Sequence, residues 1–527
     1  MRYATMNYLK IGKATDLTGN NRKLYRLLEI LVGFLSWGTL IGLLILSYLN
    51  PILASYFIIA FDIYWLLLIS YLTLHLLSCY KKLQKNLKID WMEKCKNLKQ
   101  KNVGEKKCLL KQGIEWNDII HLVIFPTYNE SLEIIQSSFN ALVNSNWPAE
   151  KMIVVLAIEE RAGEEAKIKS KIIEKKFGHK FKNFLITTHP ANVDGELQGK
   201  GANQTWAGRI VKEKIIDQQK LDYNKILVSI FDIDTTVYKD YFFCLTYKFL
   251  TVNNPYRASY QPIPVYHNNI WQAPFFARVA AYSNTFWQMM MQIRQEKLVT
   301  YSSHSMTFRA LVDVNFWSVN MVSEDSRIFW HCFCYYNGEY RVEPLHFPVS
   351  MDATMDKNFW KTIKSLYKQQ RRWGWGVENV PYLMFNVIKK WKKIPKSKSI
   401  SRIFVQVHGF HSWATNALIV GVIGWMPILL GGNHFNSTVL SGNLPVLTRI
   451  LMTLAMVGLI VSAIISTLLI PKHPTNWRPI NSIVIILQWL VLPISIIIFG
   501  AFPALEAQTR LMFGKYMGFW VTSKHRV

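Results

Sequence analysis

The sequence predicts an α/β domain with a mostly parallel sheet, set between an N-terminal and a C-terminal block of membrane-spanning helices. Three observations predict it. Half of the 527 residues are hydrophobic although the chain also carries 61 Lys and Arg, a mixture expected of a membrane protein with a polar domain. Long apolar runs occupy both ends of the chain and none interrupts residues 112 to 395. Within that central stretch, short apolar segments alternate with amphipathic ones, the pattern of a parallel sheet with crossover helices.

The elements follow in order. Residues 1–26 form a polar, basic segment ahead of two runs, Leu27 to Leu49 and Ala54 to Leu77. At 1.5 Å per residue each is long enough for a hydrocarbon core of ~30 Å, and Asn50-Pro51 breaks them into a hairpin. The first run is too long and too late for a cleaved signal peptide. Residues 27–79 therefore read as two anchoring helices. Eleven lysines lie between Lys81 and Lys111, within a juxtamembrane linker at 80–114, and KKWKKIPKSKSISR (389 to 402) precedes the next apolar block. Cations hugging span ends follow the positive-inside rule, so the central domain is expected in the cytosol. The same placement reads the net charge of +27 as topology and contact with membrane lipids. Nucleic-acid binding falls to a minor reading, and no nucleic-acid partner is expected.

HLVIFPTYNE (121 to 130), MIVVLAIEE (152 to 160), FLITTHP (184 to 190) and KILVSIFDIDTT (225 to 236) are the expected strands. The domain is placed at 115–350, followed by interfacial helices at 351–402, a C-terminal membrane block at 403–503 and an amphipathic basic tail at 504–527. Three apolar runs are expected in that block, about 410–430, 447–470 and 483–502, with Lys472 and Arg478 in a cytosolic loop. Three spans put the tail outside, yet it carries Arg510, Lys515, Lys524 and Arg526. A re-entrant run around Pro493 and Pro503 is one way out, and a tail that breaks the charge rule is the other. The six cysteines show no CxxC pair or zinc spacing and are expected as reduced thiols.

Ligands of open α/β sheets sit at the carboxyl ends of the strands. There the sequence puts Thr127, Glu130, Glu159, Glu160, Asp232 and Asp234. Asp-x-Asp at a strand end suits a hard cation such as Mg²⁺ or Mn²⁺ completed by phosphate oxygens. Solvated aspartates are the bland alternative. Context sharpens the signal, since PTYNE (126 to 130), KGANQTWAG (200 to 208), SEDSRIFW (323 to 330) and QQRRWGWG (369 to 376) frame it in order. SED alone reads equally as a helix N-cap. Gln369, Arg372 and Trp373 share one helix face in a segment that also has the composition of a membrane-surface helix.

Together these motifs resemble the family 2 inverting glycosyltransferases, in particular the membrane-embedded branch of cellulose, chitin and hyaluronan synthases, over roughly residues 115 to 385. The resemblance implies a GT-A fold, a nucleotide-sugar donor, expected to be a UDP-sugar, a Mg²⁺ or Mn²⁺ cofactor, and a glycan or lipid-linked acceptor at the cell membrane. It implies that Thr127, Glu130, Glu159 and Glu160 line the nucleoside, that Lys200 approaches the diphosphate, that Asp232 serves the nucleotide or the metal shell and Asp234 ligates the metal, and that Asp325 is the general base supported by Glu324. Gln369 and Arg372 would assist the departing diphosphate, with Trp373 beneath the acceptor sugar. The family usually has Asp-Asp where this chain has Glu159-Glu160, which keeps the charge and moves it by a methylene. GFWVTSK (518 to 524) resembles the gating loop of cellulose synthases, and His304 falls in an acceptor-side stretch. A different class stays open, a membrane transporter or scaffold with a nucleotide-sensing domain. Asp62 is the only charged residue near the middle of an apolar run, which speaks against transport.

Overall fold

The computed structural model describes residues 8–98, 109–471, 483, 485, 487–520 and 526. Eight strands form one sheet: β1 (Ile120–Pro126), β2 (Met152–Glu159), β3 (Asn183–His189), β4 (Ile226–Ile230), β5 (Thr236–Val237), β6 (Ala258–Val265), β7 (Ser305–Thr307) and β8 (Arg341–Ser350). Their order is β3-β2-β1-β4-β7-β6-β8-β5. The first four run parallel, with Val123 opposite both Val154 and Ser229. The sheet is mixed beyond them, because β7 runs antiparallel to β4 and β6, and β5 antiparallel to β8.

The apolar strands are continuous because both faces are covered. Leu122, Ile124, Ile153 and Val155 point into one core with Trp330 and Tyr382. Val123, Phe125, Val154 and Leu156 point into the other with Phe139 and Phe177. Burying each such side chain contributes roughly 1.5–3 kcal/mol. Parallel alignment then brings the carboxyl ends of β1 to β4 to a single edge, where all the candidate residues of those strands lie.

Two details differ from the expected elements. Strand β4 stops at Ile230, so Asp232 and Asp234 stand in the turn after it, closed by Thr235 N–H donating to the Asp232 carbonyl at 2.8 Å. Ile233, between them, is buried, so the turn directs the two acids away from the core that takes the isoleucine. The bend in the C-terminal block lies away from Pro493 and Pro503. Lys396–Gly421 and Ile423–Leu430 meet at 43°, whereas the two prolines lie within one helical span, Gln488–Met512, which takes a 3₁₀ turn before Pro493 and a π turn before Pro503, irregularities that accommodate the missing N–H.

Among the described residues, four helices are long and apolar enough to cross a membrane, Gly19–Leu49, Pro51–Leu87, Val439–Leu469 and Gln488–Met512, and the bent pair makes a fifth if it is one span. The last ends later, at Met512, than the run expected at 483–502. Asp62 is buried and accepts from Thr448 Oγ1 at 2.7 Å. The five described cysteines are free and buried. The loop at 472–480 and residues 521–524 lie outside the described residues.

The N-terminal strap, Tyr8 to Ile11, is held through its carbonyls. Asn386 Nδ2, Tyr382 Oη, Asn320 Nδ2 and Arg327 Nη1 donate in turn to the oxygens of Tyr8, Leu9, Lys10 and Ile11, at 3.4, 3.1, 3.0 and 2.8 Å.

Helices Pro51–Leu87 and Val439–Leu469 approach closely at Gly458, where a Cβ would stand 2.5 Å from Ile69 Cγ2. Gly442 on the same helix has open space beside it. Gly458→Val is therefore expected to cost about 1–3 kcal/mol through overpacking, read as a lower Tm of the full chain in detergent, while Gly442→Val leaves Tm nearly unchanged.

Candidate functional site

Lys200 opens the helix Lys200–Val211 at the carboxyl edge of the sheet. Asn203 Nδ2 fastens that helix to the end of β2 by donating to the Ala157 carbonyl at 2.8 Å. Gly201 lets it approach the helix Glu324–Tyr335, since a Cβ there would lie 3.2 Å from Glu324 Cβ and 2.8 Å from the Ser318 carbonyl. The result is an ion triad. Lys200 Nζ stands 2.6 Å from Asp232 Oδ1, and 2.8 and 3.1 Å from the two oxygens of Asp325. Burial alone would lower the Lys200 pKa, but Asp232 and Asp325 beside it hold the ammonium well above its usual value.

The second oxygen of Asp232 accepts from Ser302 Oγ at 2.6 Å. Asp234, 1% exposed, accepts from the Asp352 N–H at 3.0 Å. Arg526 grips the Asp352 carboxylate with two guanidinium nitrogens, 2.7 Å at the shortest. Both Asp232 and Asp234 act electrostatically on the Tyr266 phenol, which burial and these carboxylates together keep from ionising. Among the described residues no three His, Cys, Asp or Glu side chains gather closely enough to hold a metal ion.

Glu324 and Asp325 occupy the first turn of their helix, and Ser323 at its N-cap makes no capping bond with its side chain. The cap explanation of this motif therefore fails for the serine, and the Asp325 carboxylate is directed to Lys200 instead. Burial, then the neighbouring Asp325 charge, push Glu324 up to about 8, against the opposing influence of Lys200 and Arg372.

At the ends of β1 and β2, Glu130 Oε2 accepts from Thr127 Oγ1 and from the Tyr128 N–H, each at 2.8 Å. Glu159 pairs with Arg161, whose guanidinium lies 4.3 Å from the Tyr128 ring centre. Glu160 turns away and accepts from the Ala191 N–H at 2.8 Å. The two glutamates thus take separate partners.

Gln369, Arg372 and Trp373 lie on the helix Phe359–Gly374. Gln369 accepts from Thr354 Oγ1 at 2.6 Å, Arg372 stands 5.2 Å from the centre of the Phe519 ring, and Trp373 is half-buried. Phe519 also presses on Gly199, where φ is +149° and a Cβ would come within 2.6 Å of the ring. The described end of the tail therefore joins the Lys200 helix to the Arg372 helix. His304 is fully buried, donates from Nδ1 to the Tyr301 carbonyl at 2.8 Å and has no partner at Nε2 among the described residues.

Arg161, Ser302, Asp352 and Arg526 went unread in the sequence. Only Arg161, one residue past the Glu159-Glu160 pair, carried a usable signal.

No family model matches this chain, and no curated protein does. Among solved structures, the mannosyltransferase PcManGT from Pyrobaculum calidifontis in complex with GDP-Man and Mn²⁺ aligns with 78% of this chain and 99% of its own, at 14% identity and a TM-score of 0.42. S. aureus TarS 1–349 aligns with 66% of this chain and 90% of its own, at 10% identity and a TM-score of 0.36. The same TarS fragment in complex with UDP-GlcNAc gives 0.31. Likenesses this distant carry no chemistry across, and the site is read from its own residues.

The Glu324 environment sets a pH dependence. Between about pH 4.5 and 8 the native state keeps a proton that the unfolded chain releases, so this group's contribution to stability falls as pH rises through that window. Glu324→Gln removes the titration. Its Tm advantage over the native sequence is expected to be larger at pH 8 than at pH 5, measured by thermal unfolding of the full chain in detergent.

Proposed function

We propose that this chain is a membrane-embedded glycosyltransferase that moves a sugar, with inversion, from a nucleoside-diphosphate donor to a hydroxyl of a glycan or lipid-linked acceptor, its catalytic domain on the cytosolic side. The observation that carries this reading is the ion triad, in which one ammonium joins acids from two separate motifs, Asp232 and Asp325, at the carboxyl edge of the parallel strands.

Each part has a task. The planar Arg161 guanidinium, stacked on Tyr128, offers a face to the nucleotide base, with Thr127, Glu130 and Glu159 around it and Glu160 turned to the neighbouring loop at Ala191. Lys200 supplies a buried cation to the diphosphate. Arg372 brings a second, suited to phosphate oxygens, and Gln369 an amide beside it, while Trp373 offers an aromatic face to the acceptor sugar.

Asp325 takes the proton of the acceptor hydroxyl. The acceptor oxygen then bonds to the anomeric carbon, and the carbon–oxygen bond to the diphosphate breaks with its electron pair leaving on the diphosphate. A single displacement of this kind inverts the anomeric centre. An oriented base contributes roughly 10²- to 10⁴-fold.

The donor set fits a hard cation. Asp232 and Asp234 offer carboxylate oxygens to one neighbourhood, and Mg²⁺ is commonly held by one or two carboxylates with substrate phosphates completing its shell. When bound, Mg²⁺ or Mn²⁺ at Asp232 and Asp234 would neutralise charge on the departing diphosphate. Helices long and apolar enough to span would hold such a site at the membrane surface, where a lipid-linked acceptor or a growing glycan is met.

The test is a screen of nucleotide-sugars with the purified full chain and Mg²⁺ or Mn²⁺, following release of nucleoside diphosphate. At least one donor is expected to be turned over. Asp325→Asn is expected to lower turnover by about 100-fold or more, with donor Kd changed less than threefold. Release from no donor removes the transferase reading, and retained turnover in Asp325→Asn removes Asp325 as the base.

A further inference from the structure

A base is useful only if its loop is fixed, and the loop before Asp325 lacks the usual device. Ser323 Oγ is buried and makes no capping bond to the Glu324 helix, so the segment entering that helix is held from outside it. Glu378 holds it. Its Oε1 accepts from the N–H groups of both Val322 and Ser323, at 3.2 and 2.9 Å, and its Oε2 accepts from Trp375 Nε1 at 2.9 Å. Glu378 and Trp375 are both buried.

The grip is reciprocal. Arg327, one turn into the Glu324 helix and fully buried, donates from Nη2 to the Glu378 carbonyl at 3.2 Å and from Nε to Asn379 Oδ1 at 2.6 Å. Its guanidinium lies 3.8 Å from the Tyr382 ring centre, and Asn379 Nδ2 donates to Ser326 Oγ at 2.9 Å. Residues 375–379 thus clasp 322–327 from both sides. They directly continue the helix that carries Gln369, Arg372 and Trp373.

We propose that Glu378 is a positioning residue for the transfer reaction: through Val322 and Ser323 it fixes the Asp325 loop in register with Arg372, so that the group receiving the proton and the group facing the diphosphate are placed by one piece of backbone. This rests on the reading of Asp325 and Arg372 given above. A buried carboxylate is costly unless its oxygens are used, and here three donors use them. Displacing a reacting group by ~1 Å can cost on the order of 10²-fold in rate.

The test compares Glu378→Ala and Glu378→Gln in the full chain, with the donor found in the screen. Glu378→Ala is expected to lower kcat per folded molecule by about 30- to 100-fold while donor KM moves less than threefold. Glu378→Gln keeps an oxygen for both amides and sets its NH₂ against Trp375 Nε1, so it is expected to recover kcat to within about fivefold of the native value. A kcat in Glu378→Ala within threefold of native, or Glu378→Gln as impaired as Glu378→Ala, overturns the proposal.

Hydrogen exchange of the peptide spanning Val322 and Ser323 separates this from the transferase reading. Slow exchange in the native chain and in Glu378→Gln that becomes fast in Glu378→Ala supports the clasp even if no donor is turned over, and equal exchange in all three overturns it. Where Glu378→Ala does not fold, Glu378→Gln against the native chain decides by the same exchange and by kcat: slow exchange with kcat within about fivefold of native supports the clasp, and fast exchange or a larger loss overturns it.

Discussion

The arrangement depends on one buried ammonium. Lys200 is largely withdrawn from water, and such a charge is tolerable only beside anions. Those anions come from the turn after β4 and from the first turn of the Glu324 helix. The pairing therefore works as a constraint on topology as much as a source of stability. Removing either acid leaves the desolvated cation with a single counter-charge, and removing the lysine leaves two carboxylates facing each other.

Around that point the molecule is built in opposed halves. The parallel strands deliver the β1, β2 and β4 loops to one edge, and the Phe359–Gly374 helix with the Phe519 ring closes over it from the side of the last apolar helix. Glu506 shows how the closure is anchored, since it takes Tyr367 Oη at 2.9 Å, Arg371 at 2.6 Å and Arg510 at 2.8 Å. The helix bearing Arg372 is thereby tied to the last apolar helix of the chain.

Legibility in the sequence followed the physics of each element. Strands β1 to β4 were readable because two-sided burial writes continuous apolar runs, as in MIVVLAIE. Strands β5 and β7 were not, being two and three residues long with no room for a pattern, and β6 and β8 went unread because prolines and polar residues interrupt their apolar runs. The Asp-x-Asp acids were found by type, but the isoleucine between them is buried, so a turn masqueraded as strand. Lys200 was found too, although its pairing with Asp232 and Asp325 was not, because a salt bridge across 125 residues leaves no local trace. Glu378 was invisible for a different reason: two of its three donors are main-chain amides, which every residue type supplies alike. The bend near Val422 went unread, and the run around Pro493 and Pro503, which the sequence leaves open, continues as one helix, Gln488–Met512.

The strap from Tyr8 to Ile11 meets Arg327, Tyr382, Asn320 and Asn386 through oxygens of the peptide unit. Amino-acid exchange in that strap alters what its side chains touch and leaves the acceptors standing. Its electrostatic part in seating the Arg327 guanidinium is hidden from scanning mutagenesis and disclosed by deletion, so a shortened version trimmed to the start of the first apolar helix would be a different protein at its centre.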